Sequence, residues 1–164
     1  MFREEHRKEF TTYVATTRPR LRRRAYMLCG DWYEADDLVQ DTFAVMYRQW
    51  PRLKRTTELD GYTWTVLVRS FLSVRRRLRW RREILQSDPP DRQRELDDSV
   101  DVRIPLLAEL GRLPPRQRAV VVLRFWADLS IDRTAAILCV SPGTVASQTH
   151  KALATLRTSL VDLR

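Results

Sequence analysis

The sequence predicts an all-α protein built as two small helical lobes, and three observations carry that expectation. Only four glycines occur in 164 residues. No Asn-Gly or Asp-Gly pair sits between alternating strands, and apolar side chains recur at i, i+3, i+4 spacing. Charge then divides the chain. Residues 1–83 hold 19 Lys/Arg against 11 Asp/Glu, and residues 104–164 hold eight against four. Between them, residues 84–103 reverse sign: Asp88, Asp91, Glu95, Asp97, Asp98 and Asp101 outnumber Arg92, Arg94 and Arg103. With Pro89-Pro90 and almost no large apolar side chain, that stretch cannot bury enough surface to offset its ordering entropy. It reads as an acidic, flexible linker between domains at 1–83 and 104–164.

The first helix is expected from about Glu5 to Cys29, with a break near Pro19, and Gly30-Asp31 ends it because glycine accepts the left-handed position after a helix. A second spans Tyr33 to Trp50 and stops at Pro51. Its apolar stripe is Val39, Phe43, Met46, Tyr47 and Trp50. Asp36, Asp37 and Asp41, with Gln40 among them, gather on its outer side. The helix dipole explains Asp36 and Asp37 near the N-terminus, but it explains Asp41 less well, a turn further on. An acidic patch on a basic lobe suits a basic protein surface.

A third helix runs from Gly61 to Arg82. Seven arginines fall between Arg69 and Arg82 with no acid among them. Such density repels itself, and a polyanion is the natural compensation. Tyr62, Trp64, Phe71 and Trp80 are interleaved, as in surfaces that stack single-stranded bases over a cationic groove. The competing reading makes these rings core and the arginines a solvated face; Phe71 fits core and the Arg tract fits DNA.

In the second lobe Pro114-Pro115 opens a helix with Ala119, Val122, Leu123 and Trp126 on one side. Ser130 caps a short helix carrying Ala135, Ala136 and Leu138. After Cys139-Val140, Ser141 as N-cap and Pro142 at the first helical position start the last helix, whose buried set is Val145, Thr149, Ala152, Leu153, Leu156 and Leu160. Two helices around a tight turn give a helix-turn-helix, and Thr144, Ser147, Gln148 and Lys151 share the face left outside the apolar stripe. Gln reads adenine bidentately, Ser and Thr reach bases or phosphates, and Lys finds phosphate. A plain helical hairpin with a polar face is the competing interpretation.

The formal charge of +9 rests almost wholly on Arg, whose fork of donors suits phosphate and base edges. Met1 to Phe10 is charged and lacks an apolar core, so no secretory leader is expected. No window approaches the ~20 apolar residues of a membrane span. Cys29 and Cys139 read as two buried thiols, and with His6 and His150 they form no metal-ligand spacing. Neither catalytic spacing nor a phosphate-cradling glycine loop appears. The expectation is a cytoplasmic, non-enzymatic protein with no metal or cofactor.

Asp36-Asp37-Leu38-Val39-Gln40-Asp41-Thr42-Phe43, the Gly61–Arg82 segment, Leu113-Pro114-Pro115-Arg116-Gln117-Arg118 and Ser141-Pro142-Gly143-Thr144-Val145 together resemble a bacterial extracytoplasmic-function sigma factor. The similarity is greatest to the actinobacterial sigma-E-like subgroup. It implies a non-catalytic specificity subunit that binds core RNA polymerase through its β′ and β subunits. By that resemblance Asp37, Gln40 and Asp41 dock on polymerase. Lys54, Arg55, Tyr62, Trp64, Arg69, Arg75, Arg76, Arg77 and Arg79 handle the promoter −10 element, partly as flipped single-stranded bases. Arg116, Ser141, Thr144, Ser147, Gln148 and Lys151 serve the −35 element, and the linker threads the polymerase interior. Members of this group are often held by an anti-sigma protein. A stand-alone helix-turn-helix regulator is the alternative, but it leaves the Asp-rich helix and the Arg-aromatic segment unexplained. Four positions depart from the family pattern: Arg69 replaces a frequent Asn, Cys139 a frequent turn Gly, and Ala146 and Gln148 frequent Lys or Arg. The last change predicts weaker, less salt-sensitive −35 binding.

Overall fold

The computed structural model describes residues 1–53, 58–85 and 105–162. Its helices are α1 (Phe2–Cys29), α2 (Trp32–Leu53), α3 (Leu59–Leu85), α4 (Pro105–Arg112), α5 (Pro115–Val121), α6 (Ile131–Leu138) and α7 (Pro142–Asp162), with a π-helical turn at Val122–Trp126. No strand occurs among the described residues, so the all-α expectation holds. Of the expected linker 84–103, residues 84 and 85 instead continue α3, and 86–103 lie outside the described residues.

Local chemistry sets most of the ends. Gly30 takes φ 69° and donates its N–H to the Tyr26 carbonyl, closing α1. Asp31 accepts from the Glu34 N–H at 2.9 Å and so caps the start of α2. Ser130 caps α6 through the Arg133 N–H, and Ser141 caps α7 through the Thr144 N–H, each at 3.1 Å. Cys139 occupies the left-handed turn position at φ 55°, ψ 44°. The turn therefore keeps its usual geometry without glycine, at a cost of about 1–2 kcal/mol.

Two prolines expected to interrupt helices do not. Pro19 is exposed within a continuous α1, and α2 runs through Pro51 to Leu53. A proline costs one backbone hydrogen bond and a clash with the preceding turn. At Pro51 the loss falls in the final turn, where the burial of Trp50 and Leu53 on either side offsets it.

α2 buries Ala35, Leu38, Val39, Thr42, Phe43, Met46, Trp50 and Leu53, a stripe at helical period that packs on α1 and α3. Tyr47, expected in that stripe, is half exposed, its ring 5.1 Å from that of Phe10. In the second lobe Trp126 is likewise half exposed, because the π turn rotates it off the face that Ala119, Val122 and Leu123 bury. Among the predicted α7 core positions Val145, Ala152 and Leu156 are buried, whereas Thr149, Leu153 and Leu160 are half-buried.

The lobes do not stand apart. One apolar cluster runs from Leu21, Leu28, Met46, Leu67 and Phe71 into Val122, Leu123, Ile137 and Leu138. A smaller one, Leu110, Leu113, Val121, Ala152 and Leu156, holds α4 and α5 on α7. This shared core is the main feature that sequence reading did not anticipate.

Candidate nucleic-acid interface

On α2, Asp37, Gln40 and Asp41 are all exposed, while Asp36 is set apart from them. Its carboxylate takes a two-pronged grip from Arg22, at 2.6 and 3.3 Å. The Arg22 hydrogen bond holds the Asp36 carboxyl below its ordinary range, with burial opposing the shift and the charge of Arg22 adding to it. Arg22 also lies 4.2 Å over the Trp32 ring, which stacks on Tyr26. Asp36 thus serves the α1–α2 junction, and the outward acidic set is Asp37 and Asp41 with Gln40.

α3 sorts its predicted residues by burial. Trp64 is 3% exposed, with Arg24 4.5 Å over its ring. It is core, and its face is closed to a base in this arrangement, a correction to its place among the stacking aromatics. Arg75 is also inward: it pairs with Glu34 at 2.7 Å and lies 5.4 Å from the Phe71 ring. Phe71 is core, as expected. Arg76, Arg77, Arg79 and Trp80 are exposed, and Tyr62 is half-buried in a groove of about 680 Å³ that it lines with Asp41, Arg48, Ser70, Ser73 and Arg77. Lys54 and Arg55 lie outside the described residues.

Arg69 is neither core nor unoccupied. Its guanidinium donates to the carbonyls of Ile137 at 3.0 Å and Ala136 at 3.3 Å, and its Nη2 stands 3.5 Å from Cys139 Sγ. These are last-turn carbonyls of α6, the negative end of that helix, so a cation is favoured there. Cys139 is exposed rather than buried, which corrects one of the two thiol expectations; Cys29 is fully buried.

Arg118 answers from the other lobe. It is 5% exposed and donates to Leu28 O at 2.6 Å, Gly111 O at 2.7 Å and Leu113 O at 2.9 Å. Leu28 lies in the last turn of α1, so each lobe inserts one arginine into helix-terminal carbonyls of the other. Sequence reading assigned Arg118 no role. The available signal was its position, four residues before Val122 on the buried side of α5.

The helix-turn-helix is α6, the turn at residues 139–141, and α7. Thr144, Ser147 and Lys151 are exposed on one face of α7, and Arg116 is exposed at the start of α5. Ser141 spends its hydroxyl as a cap and stands 2.9 Å from the Thr144 hydroxyl. Gln148 is half-buried, with Oε1 inaccessible and without a hydrogen-bond partner among the described residues. It lines a cleft against α3 instead of facing outward with its neighbours.

Among the described residues no group of three His, Cys, Asp or Glu is arranged to hold a metal, and no helix is long and apolar enough to cross a membrane.

Comparison with known proteins follows the same two-lobe order. Sigma-70 region 2 matches residues 13–81 and sigma-70 region 4 matches residues 103–156. The RNA polymerase sigma-E factor of Streptomyces coelicolor is 37% identical over 158 residues, covering 93% of this chain and 86% of the relative. The extracytoplasmic-function RNA polymerase sigma factor SigL of Mycobacterium tuberculosis is 30% identical over 150 residues, covering 86% and 82%. Among solved structures, the sigma factor RpoE of Bartonella quintana, crystallised with the anti-sigma factor NepR, superposes with a TM-score of 0.69 at 24% identity. That match spans 96% of this chain and 99% of the other, and it shows a shared fold.

Proposed function

This chain belongs to the extracytoplasmic-function sigma factors of the sigma-70 family, and from that premise we propose how its residues divide the work of promoter-specific transcription initiation. The observation that carries the proposal is the order of the surfaces: an outward acidic set on α2, an exposed arginine helix in α3, and a helix-turn-helix in the second lobe. Residues 1–83 form the polymerase-docking and −10 lobe, 84–103 the linker, and 104–164 the −35 lobe. Asp37, Gln40 and Asp41 dock on the β′ subunit of core polymerase, since they stay exposed while Asp36 is held by Arg22.

On DNA, Arg76, Arg77 and Arg79 contact the −10 strand, with Tyr62 at the wall of the α2–α3 groove and Lys54 and Arg55 beside it in sequence. Thr144, Ser147, Lys151 and Arg116 meet the −35 groove, with Ser141 fixing the start of the recognition helix. Arg69 and Gln148 join these sets once the lobes part. Parting is required on geometric grounds. Elements about 25 base pairs apart are about 85 Å apart along B-form DNA, whereas a folded chain of this length has a radius of gyration of about 15 Å. The protein works in the cytoplasm, and an anti-sigma protein, as found with the Bartonella relative, is its expected regulator.

Co-purification with core polymerase tests the reading. The wild-type chain should associate one to one and yield promoter-dependent transcripts, and Asp41→Lys should lose both while keeping its helical fold. Unchanged core affinity in Asp41→Lys would remove the docking role of the acidic set. Dimers that bind duplex DNA without polymerase would instead favour the stand-alone regulator.

A further inference from the structure

Where the lobes meet further along α3 from the Arg69 contact, they form a cleft of about 590 Å³. One wall is α3, giving Arg75, Arg76, Arg79 and Arg82; the other is the start of α5 with Arg116, and α7 with Gln148. No acidic residue lines it. Arg75 and Arg79 have carboxylate partners in Glu34 and Glu83, but Arg76, Arg82 and Arg116 have none among the described residues. Closing the lobes therefore brings like charges onto one cleft, an arrangement that costs energy unless an anion occupies it.

Two further features narrow the anion. Leu72, Leu78, Pro114 and Pro115 supply an apolar lining, which a bare phosphate cannot use. The Gln148 Oε1 is buried and lacks a donor among the described residues, and phosphate oxygens carry none to offer. A purine or pyrimidine with an amino group supplies both the flat apolar face and the N–H. Guanidinium forks match phosphate oxygens in pairs. The volume falls in the ordinary range of small-ligand sites, about 300–1,000 Å³.

We propose that this cleft binds a nucleoside polyphosphate, its phosphates on Arg76, Arg82 and Arg116 and its base against the proline-leucine lining and Gln148. The site exists only while the lobes are together, so the ligand favours the closed form. It also competes with promoter DNA for Arg76, Arg79, Arg116 and Gln148. Arg82 belongs to this site alone.

Calorimetric titration of the full chain with ATP, and separately with inorganic tripolyphosphate, tests the proposal. ATP should bind one to one and at least about tenfold more tightly than tripolyphosphate, a difference of about 1.4 kcal/mol. Arg82→Glu should weaken ATP binding at least about tenfold, the loss of one charge-assisted contact. Arg81→Glu makes the same charge change one residue away and outside the cleft, and should alter it less than about twofold. Both positions are exposed, so neither variant threatens the fold. Equal weakening by the two reversals would reduce the effect to diffuse attraction and overturn the site. Equal affinity for tripolyphosphate and ATP would overturn the nucleoside assignment. Absence of binding to wild-type chain that remains active with core polymerase would refute the cleft proposal and leave the sigma-factor reading intact.

Discussion

Replacing Arg118 with Met tests the claim that one buried guanidinium holds the second lobe together and fixes it to the first. Met has similar length, so the change removes three donors while leaving most of the packing volume. Leu28, Gly111 and Leu113 each lose a charge-assisted bond of 2.6–2.9 Å. At about 1.5–3 kcal/mol per bond to a charged group, the gross loss is about 4–9 kcal/mol. Removing a buried charge returns several kcal/mol of desolvation cost, which brings the expected net loss to about 3 kcal/mol. With a urea slope near 2 kcal/mol per molar, the unfolding midpoint should fall by about 1.5 M. Arg118→Lys keeps the charge on a single tetrahedral head that cannot reach all three carbonyls, and should lie between Met and wild type. A midpoint for Arg118→Met within about 0.3 M of wild type would refute the reasoning, because it would mean those carbonyls find water or other donors at no cost.

Three other outcomes follow from the same contacts. Arg69→Ala removes two partly solvated bonds to the end of α6, worth about 1 kcal/mol, and should raise the open-to-closed ratio about fivefold; spin labels at the exposed positions 48 and 157 would report it, and an unchanged distance distribution would mean that the Arg69 contact does not hold the lobes together. Cys139→Gly should stabilise the chain by about 0.5–1 kcal/mol in thermal unfolding, since glycine takes the left-handed turn without a Cβ penalty. The Asp36 carboxyl should titrate below the ordinary ~3.9 in an NMR pH series, and Arg22→Gln should bring it back up. A lowered folded pKa means the Arg22–Asp36 contribution is present above the unfolded value and lost as pH falls through the folded one. Both groups are about two-fifths exposed, so the stability effect is small.

The helix-turn-helix was legible almost to the residue, and for a local reason. Ser130, Ser141-Pro142 and Gly30 act through backbone groups at most four residues away, so their signals are complete within a short stretch of sequence. The outward character of Asp37 and Asp41 was readable for the same reason, since helical periodicity puts them opposite the buried Val39 and Met46. The break expected near Pro19 and the helix end expected at Pro51 are absent; at Pro51 the proline's penalty is fixed locally, while the burial that outweighs it comes from other helices.

What the tertiary structure alone decided is the fate of each arginine. Arg22, Arg69, Arg75 and Arg118 look in sequence like Arg76, Arg77 and Arg82, yet the first four are spent on Asp36, the end of α6, Glu34 and the end of α1. A guanidinium sits at the end of a long, flexible stem, and its partner is whatever acid or carbonyl the fold brings within reach. Those partners lie 14 to 90 residues away in the chain. Apolar periodicity gives each helix a buried face, but it does not say against which neighbour. The apolar cluster that joins the two lobes, the burial of Trp64 and the cleft that Gln148 lines all follow from that choice, which is made by packing across the whole molecule.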